Sequence, residues 1–76
     1  MTEQETILDT SGLRCPLPIL HAKRELAKLA TGELLRVIST DPSASADFDA
    51  MLSHTEHTLL EKTEQNSHWE FLIRKG

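Results

Sequence analysis

Residues 33–39 read ELLRVIS, and the fold of the sequence depends on this stretch. It is rich in branched apolar residues, which favour extended backbone. We therefore predict a strand here that is buried on at least one face. A pattern typical of an amphipathic helix lies on each side of this strand, and the rest of the fold follows from that arrangement.

Before this strand, residues 16–30 predict a helix. Its apolar stripe advances in steps of three and four residues and contains Ile19, Ala22, Leu26 and Leu29. Gly32 follows as the expected left-handed stop. Further towards the N-terminus, residues 5–9 (ETILD) predict a first strand, with Ile7 and Leu8 on opposite faces.

After the strand, Asp41 and Pro42 predict the start of a second helix, with Asp41 as its N-cap and Pro42 at its first position. The apolar stripe of this helix contains Ala44, Phe48, Met51, Leu52 and Thr55. Residues 57–64 and 68–75 predict two further strands, joined by a turn at 65–67. In the last strand one face carries Trp69, Phe71 and Ile73.

The order of elements is therefore β-α-β-α-β-β. A connection through a helix joins parallel strands, whereas a hairpin joins antiparallel ones. We predict an α/β fold of the α+β two-layer sandwich type, with a mixed four-stranded sheet and both helices on one face. The chain has 76 residues, so we expect one domain over residues 1–76.

Composition and charge argue against several classes of function. The net charge is −4 and no broad basic stripe is present, so we expect no direct binding of nucleic acid. The N-terminal segment lacks the basic and apolar regions of a secretory signal, and no apolar run is long enough to span a membrane. The single cysteine cannot form an internal disulfide, which favours a reducing compartment. We expect a cytoplasmic protein with no membrane association.

The single cysteine, Cys15, lies in the segment GLRCPLP at residues 12–18. If the first helix begins after it, Cys15 is the N-cap, with Pro16 and Pro18 in a stiffened first turn. The helix dipole and the adjacent Arg14 then predict a lowered thiol pKa. We expect the sulfur to be exposed, the alternative being a buried structural cysteine.

The residue types exclude several uses of such a thiol. A hydrolase needs a histidine base, and none of the four histidines lies in a recognisable motif. A redox exchanger needs a second cysteine, and a zinc site needs more thiolates. A carrier that holds one sulfur atom as a persulfide fits best. We expect no cofactor and no metal.

At this point the sequence resembles the TusA/SirA-like family of small sulfur carriers, over about residues 8–76. The resemblance rests on Asp9 followed by GLRCPLP at 12–18, on Thr40-Asp41-Pro42, and on FLIRKG at 71–76. It implies a β-α-β-α-β-β sandwich in which Cys15 takes persulfide sulfur from a cysteine desulfurase or rhodanese-type donor. It also implies an acceptor relay protein, in tRNA 2-thiouridine synthesis, sulfur oxidation or selenium metabolism.

The sequence departs from the family pattern at two places, which leaves the pathway open. Leu17 stands where relatives in the tRNA branch often have an acidic residue, and FDAML at 48–52 replaces a segment with proline and cysteine. The residues expected to support the thiol are Gly12, Arg14, Pro16, Leu17 and Pro18. Those expected to contact partners are Leu13, Arg14 and Leu17, with Asp41 as a possible rim.

Two alternatives to the carrier remain. The first is a non-catalytic interaction module, because residues 14–28 carry four cations against Glu25 alone, whereas residues 41–56 carry only acidic charges. Such a module would dock a partner by charge complementarity. The second is a peroxide-sensing thiol, which would need a resolving partner.

Overall fold

The computed structural model describes residues 5–76 and shows two helices packed against a four-stranded sheet. The elements are β1 (Glu5–Thr10), α1 (Leu17–Lys28), β2 (Leu34–Ser39), α2 (Ala44–Leu52), β3 (Thr58–Gln65) and β4 (His68–Arg74). The strand order across the sheet is β1-β2-β4-β3. β1 lies parallel to β2, and β4 is antiparallel to both of its neighbours. The predicted element order and mixed sheet are confirmed. Neither helix in the described range is long and apolar enough to cross a membrane.

The core lies between the sheet and the two helices. Leu35 and Val37 of β2 and Phe71 and Ile73 of β4 are fully buried. The helices contribute the predicted stripes, of which Ala22, Leu26, Ala44, Phe48, Met51 and Leu52 are buried. Phe48 stacks on Phe71 with ring centroids 4.5 Å apart. Alternation along the strands and helical periodicity therefore locate the core correctly.

The opposite face of the sheet is bridged by charged side chains. Arg36 bonds Glu5 through Nε at 2.8 Å and Glu70 through Nη1 at 3.2 Å, so one guanidinium links three strands. Ile7 on β1 is 64 % exposed, whereas its neighbour Leu8 packs against the core. This confirms the predicted opposite orientation of Ile7 and Leu8.

Both helices begin later than the sequence predicts. The N-cap of α1 is Pro16 rather than Cys15, so Pro18 occupies the second helical position. The reason is a turn before the helix, in which the Leu17 N–H bonds the Arg14 carbonyl at 2.8 Å instead of a capping side chain. Asp41 is likewise not the N-cap of α2, because a turn closes first between the Ala44 N–H and the Asp41 carbonyl. The N-cap there is Ser43.

The ends of the elements show two further differences. α1 ends at Lys28 with Leu29 in extended backbone, so the helix does not run to residue 30. Gly32 has φ +92° but lies in the turn before β2. The helix end is stabilised instead by Lys75, whose Nζ donates to the Leu26 carbonyl at 2.6 Å. Thr55, predicted on the stripe of α2, lies beyond its end and is exposed.

Candidate functional site around Cys15

Cys15 lies in the loop between β1 and α1 and is exposed, as predicted. The loop turns sharply at its start, where the Leu13 N–H bonds the Thr10 carbonyl at 3.0 Å. Gly12 has φ +83° there, a conformation that other residues rarely adopt. The Cys15–Pro16 peptide bond is cis. The sulfur is therefore presented at the surface by a constrained turn.

A second loop, between β2 and α2, holds this turn in place. β1 and β2 are parallel neighbours with Thr10 paired to Ser39, so their carboxyl ends reach the same edge of the sheet. The Gly12 N–H donates to the Thr40 hydroxyl at 2.8 Å. The Cys15 N–H donates to the Asp41 carboxylate at 2.5 Å. Thr40 and Asp41 of the second loop thus hold the turn that carries Cys15.

Both carboxylate oxygens of Asp41 accept hydrogen bonds from neighbouring residues. Oδ2 accepts the Cys15 N–H, and Oδ1 accepts the N–H and the hydroxyl of Ser43, each at 2.9 Å. The side chain is almost fully buried, with a relative exposure of 8 %. The hydrogen bonds from Ser43, and next that from Cys15, hold the pKa of Asp41 below its ordinary value. Asp41 is therefore a charged anchor for the thiol loop.

The sequence predicts a positive environment for the sulfur, whereas the structure places negative side chains near it. The pKa of Cys15 is raised, not lowered. The largest cause is the interaction of the thiol with the Asp47 carboxylate, followed by loss of hydration and the negative charges of Asp47 and Asp41. The predicted lowering assumed that Cys15 caps α1, whereas the N-cap is Pro16.

Asp47 is a residue that the sequence analysis missed. It lies in the first turn of α2 and is half-buried. Its Oδ2 lies 3.0 Å from the Ser43 hydroxyl, which also contacts Asp41. No motif marks Asp47, because its proximity to Cys15 depends on how the two loops meet.

Two surfaces flank the thiol. One is a groove of about 400 Å³ that is lined by Gly12, Leu13, Arg14, Thr40, Asp41 and Pro42. The other surface is the start of α1, which exposes Leu17 and Leu20, at 43 % and 49 %. Arg14, Pro16 and Leu17 are exposed, Leu13 is half-buried and Pro18 is buried. The structure thus brings the predicted site residues into one region, with Pro18 facing the interior.

Two histidines form hydrogen bonds with residues other than Cys15. His57 accepts the Gly76 N–H on Nδ1 at 3.0 Å, and His68 bonds Glu70 at 3.1 Å. Between residues 5 and 76 no three side chains of His, Cys, Asp or Glu are grouped so that they could hold a metal ion.

The fold and the site together define a class of small two-layer α/β proteins that present one thiol beside the start of the first helix. A family model described as Sulfurtransferase TusA matches residues 6–75. The chain belongs to this family, whose members are sulfur carriers.

Individual relatives agree with this assignment. The chain is 45 % identical to the sulfur carrier protein TusA of Allochromatium vinosum, over the full length of both. It is 43 % identical to a putative sulfur carrier protein of Neisseria meningitidis, covering 88 % of this chain and 90 % of the relative. The crystal structure of a SirA-like protein from Desulfitobacterium hafniense superimposes with a TM-score of 0.82, at 25 % identity, over 96 % of this chain and 99 % of that one.

Proposed function

We propose that this protein carries sulfur as a persulfide on Cys15, taking it from a donor protein and passing it to an acceptor protein. The observation that carries the proposal is an exposed thiol whose backbone is anchored by Asp41. No second cysteine exists in the chain to attack the loaded sulfur. The donor is a cysteine desulfurase or a rhodanese-type protein, and the carrier works as one domain in the cytoplasm.

The transfer needs no oxidant. The Cys15 sulfur attacks the outer sulfur of the donor persulfide, a new S–S bond forms, and the old S–S bond breaks. The donor cysteine leaves as a thiolate and takes up the proton that Cys15 gives up. The outer sulfur then leaves for the acceptor by the same exchange. Cys15 therefore acts as a nucleophile in loading and as the leaving group in delivery.

Partners must approach the sulfur, so the docking surface includes what surrounds it. Leu13, Arg14 and Leu17 border the thiol, and Leu17 offers an apolar contact that no element within the described residues covers. Arg14 supplies a positive charge for an acidic group on the partner. Asp41 lines the same groove, although its carboxylate oxygens are already bonded to Cys15 and Ser43.

The acceptor pathway is either tRNA thiolation or sulfur oxidation. The alternative of a non-catalytic module has less support, because two of its four acidic side chains are already engaged within the chain. Asp41 bonds Cys15 and Ser43, and Asp49 bonds Lys62 at 2.8 Å.

The test is to incubate the protein with a cysteine desulfurase and cysteine and then to measure its intact mass. We expect a gain of one sulfur atom that a thiol reductant removes. Cys15→Ser keeps the size of the side chain and should show no gain. An equal gain in Cys15→Ser, or none in the wild type, would contradict the proposal.

A further inference from the structure

Thr40 follows β2 and contacts the start of the thiol loop, but it has no part in the exchange described above. We propose that Thr40 is a positioning residue: its hydroxyl oxygen fixes the orientation of the peptide between Ser11 and Gly12, and so the path of the chain towards the thiol. The consequence for sulfur transfer rests on the proposed persulfide function. The effect of Thr40 on the peptide can be tested without that function.

The thiol loop begins with a four-residue turn. The Leu13 N–H bonds the Thr10 carbonyl at 3.0 Å across this turn, which makes Gly12 its third residue. Gly12 has φ +83°, the conformation that a type II turn requires at this position. In a type I turn the third residue has φ of about −90°, and the central peptide is rotated so that its N–H points to the opposite side. The two turns therefore differ in where the Gly12 N–H points.

Glycine does not choose between these two turns by itself. Because it has no Cβ, positive and negative φ are about equally accessible to it. The Gly12 N–H donates to the Thr40 hydroxyl oxygen at 2.8 Å, and a rotated peptide would point this N–H away from Thr40. Among residues 5–76, no other hydrogen bond joins residues 11–14 to the second loop. Thr40 thus selects the observed turn.

The orientation of this peptide matters for the residues that follow it. Leu13 and Arg14 continue the chain from the turn and line the groove. The next contact with the second loop is at Cys15, whose N–H donates to the Asp41 carboxylate. That contact still holds the backbone of the thiol when the Thr40 contact is lost. Thr40 therefore positions the surface that a partner contacts, whereas Asp41 positions the thiol.

Both ends of the contact can be changed without disturbing the core. Thr40 is exposed, and valine has the same shape with a methyl group in place of the hydroxyl. Serine keeps the hydroxyl and loses only the methyl group. At Gly12 a Cβ would meet no atom within 4 Å. Gly12→Ala therefore disfavours the positive φ without a clash, and we expect it to act in the same direction as Thr40→Val.

The first measurement is made on the carrier alone, by NMR. A type II turn brings the Ser11 Hα close to the Gly12 amide hydrogen, whereas a type I turn brings the Ser11 amide hydrogen close to it. Nuclear Overhauser effects between these hydrogens therefore report the orientation of the peptide. The control is Thr63→Val, which makes the same chemical change at an exposed position of β3. Circular dichroism checks the fold, and Thr40→Ala replaces Thr40→Val if that variant does not fold.

We expect the wild type, Thr40→Ser and Thr63→Val to show the effect from the Ser11 Hα. Thr40→Val and Gly12→Ala should show the effect from the Ser11 amide hydrogen instead. A turn that stays type II in Thr40→Val, or one that changes equally in Thr40→Ser, would overturn the inference.

The second measurement is the rate of sulfur transfer from a cysteine desulfurase at increasing concentrations of the carrier. We expect Thr40→Val to raise KM severalfold and to leave kcat close to the wild-type value, because partner binding is weakened while the thiol stays anchored. Thr40→Ser should restore KM. A rotated peptide with an unchanged KM would overturn the inference, and so would a raised KM without rotation, which would make Thr40 a direct partner contact. No transfer to the wild type would reject the proposed function, and the NMR result would still decide whether Thr40 holds the peptide.

Discussion

The Asp41 carboxylate accepts the backbone N–H of Cys15 at 2.5 Å and so joins two loops that are 26 residues apart in the sequence. Among residues 5–76, this contact and not a helix cap holds the backbone of Cys15 in place. The start of α1 lies after Cys15, and its cap residue has no capping side-chain bond. The neighbouring loop is therefore part of the functional site.

Asp41→Asn tests this anchor. The amide has one acceptor oxygen and directs hydrogens where the second oxygen was, so either Cys15 or Ser43 loses its partner. We expect the rate of sulfur loading to fall by about tenfold, because a small misplacement of a reacting atom is costly. Loading is measured by intact mass over time, with Asp49→Asn as the control. Equal rates in the two variants would show that the anchor is unimportant.

Acid should weaken the fold through the same carboxylate. The hydrogen bonds from Ser43 and Cys15 lower the pKa of Asp41 below its ordinary value of 3.8. The unfolded chain therefore binds this proton first as the pH falls. The stability that Asp41 contributes is present above its unfolded pKa and is lost as the pH falls through the lower folded value.

The free energy of unfolding, measured in urea, should thus fall less steeply for Asp41→Asn than for wild type between about pH 4 and pH 2. The other carboxylates with lowered pKa values, Glu5, Asp9 and Glu70, remain in both proteins. Their contributions cancel in the comparison. Parallel curves for the two proteins would contradict the assignment of this effect to Asp41.

The proposed docking surface predicts a difference between the two faces of the molecule. Leu17→Glu and Arg14→Glu should each slow transfer severalfold at low salt. The effect of Arg14→Glu should shrink at moderate salt, because exposed charges are then screened. Ile7→Glu is the control, since Ile7 is 64 % exposed on the sheet face away from the helices. Wild-type rates in both site variants would place the partner elsewhere.

The burial of the two neighbouring strands predicts different losses of stability when a side chain is truncated. Leu35 is fully buried, and Leu35→Ala should lower the free energy of unfolding by about 2–5 kcal/mol. Ile7→Ala should change it by less than about 0.5 kcal/mol, because most of the residue stays exposed when the protein folds. Urea unfolding of both variants gives the comparison. Similar losses would mean that the two faces of the sheet are assigned incorrectly.

The sequence by itself determined the element order, the buried faces and the single accessible thiol. Each of these depends on local information: the periodicity of apolar residues near Leu35 and Phe71, and the glycine and prolines around Cys15. The first residues of the helices were not predictable in the same way. There the predicted caps competed with turns that span residues 14–17 and 41–44.

The tertiary structure alone decided the electrostatics of the sulfur. Along the chain the neighbour of Cys15 is Arg14, which predicts a lowered pKa. In space its neighbours are Asp41 and Asp47, and they raise it. Parallel pairing of β1 with β2 brings the second loop to the first. Coulomb energy depends on distance through space and not on separation in sequence, so this result required the fold.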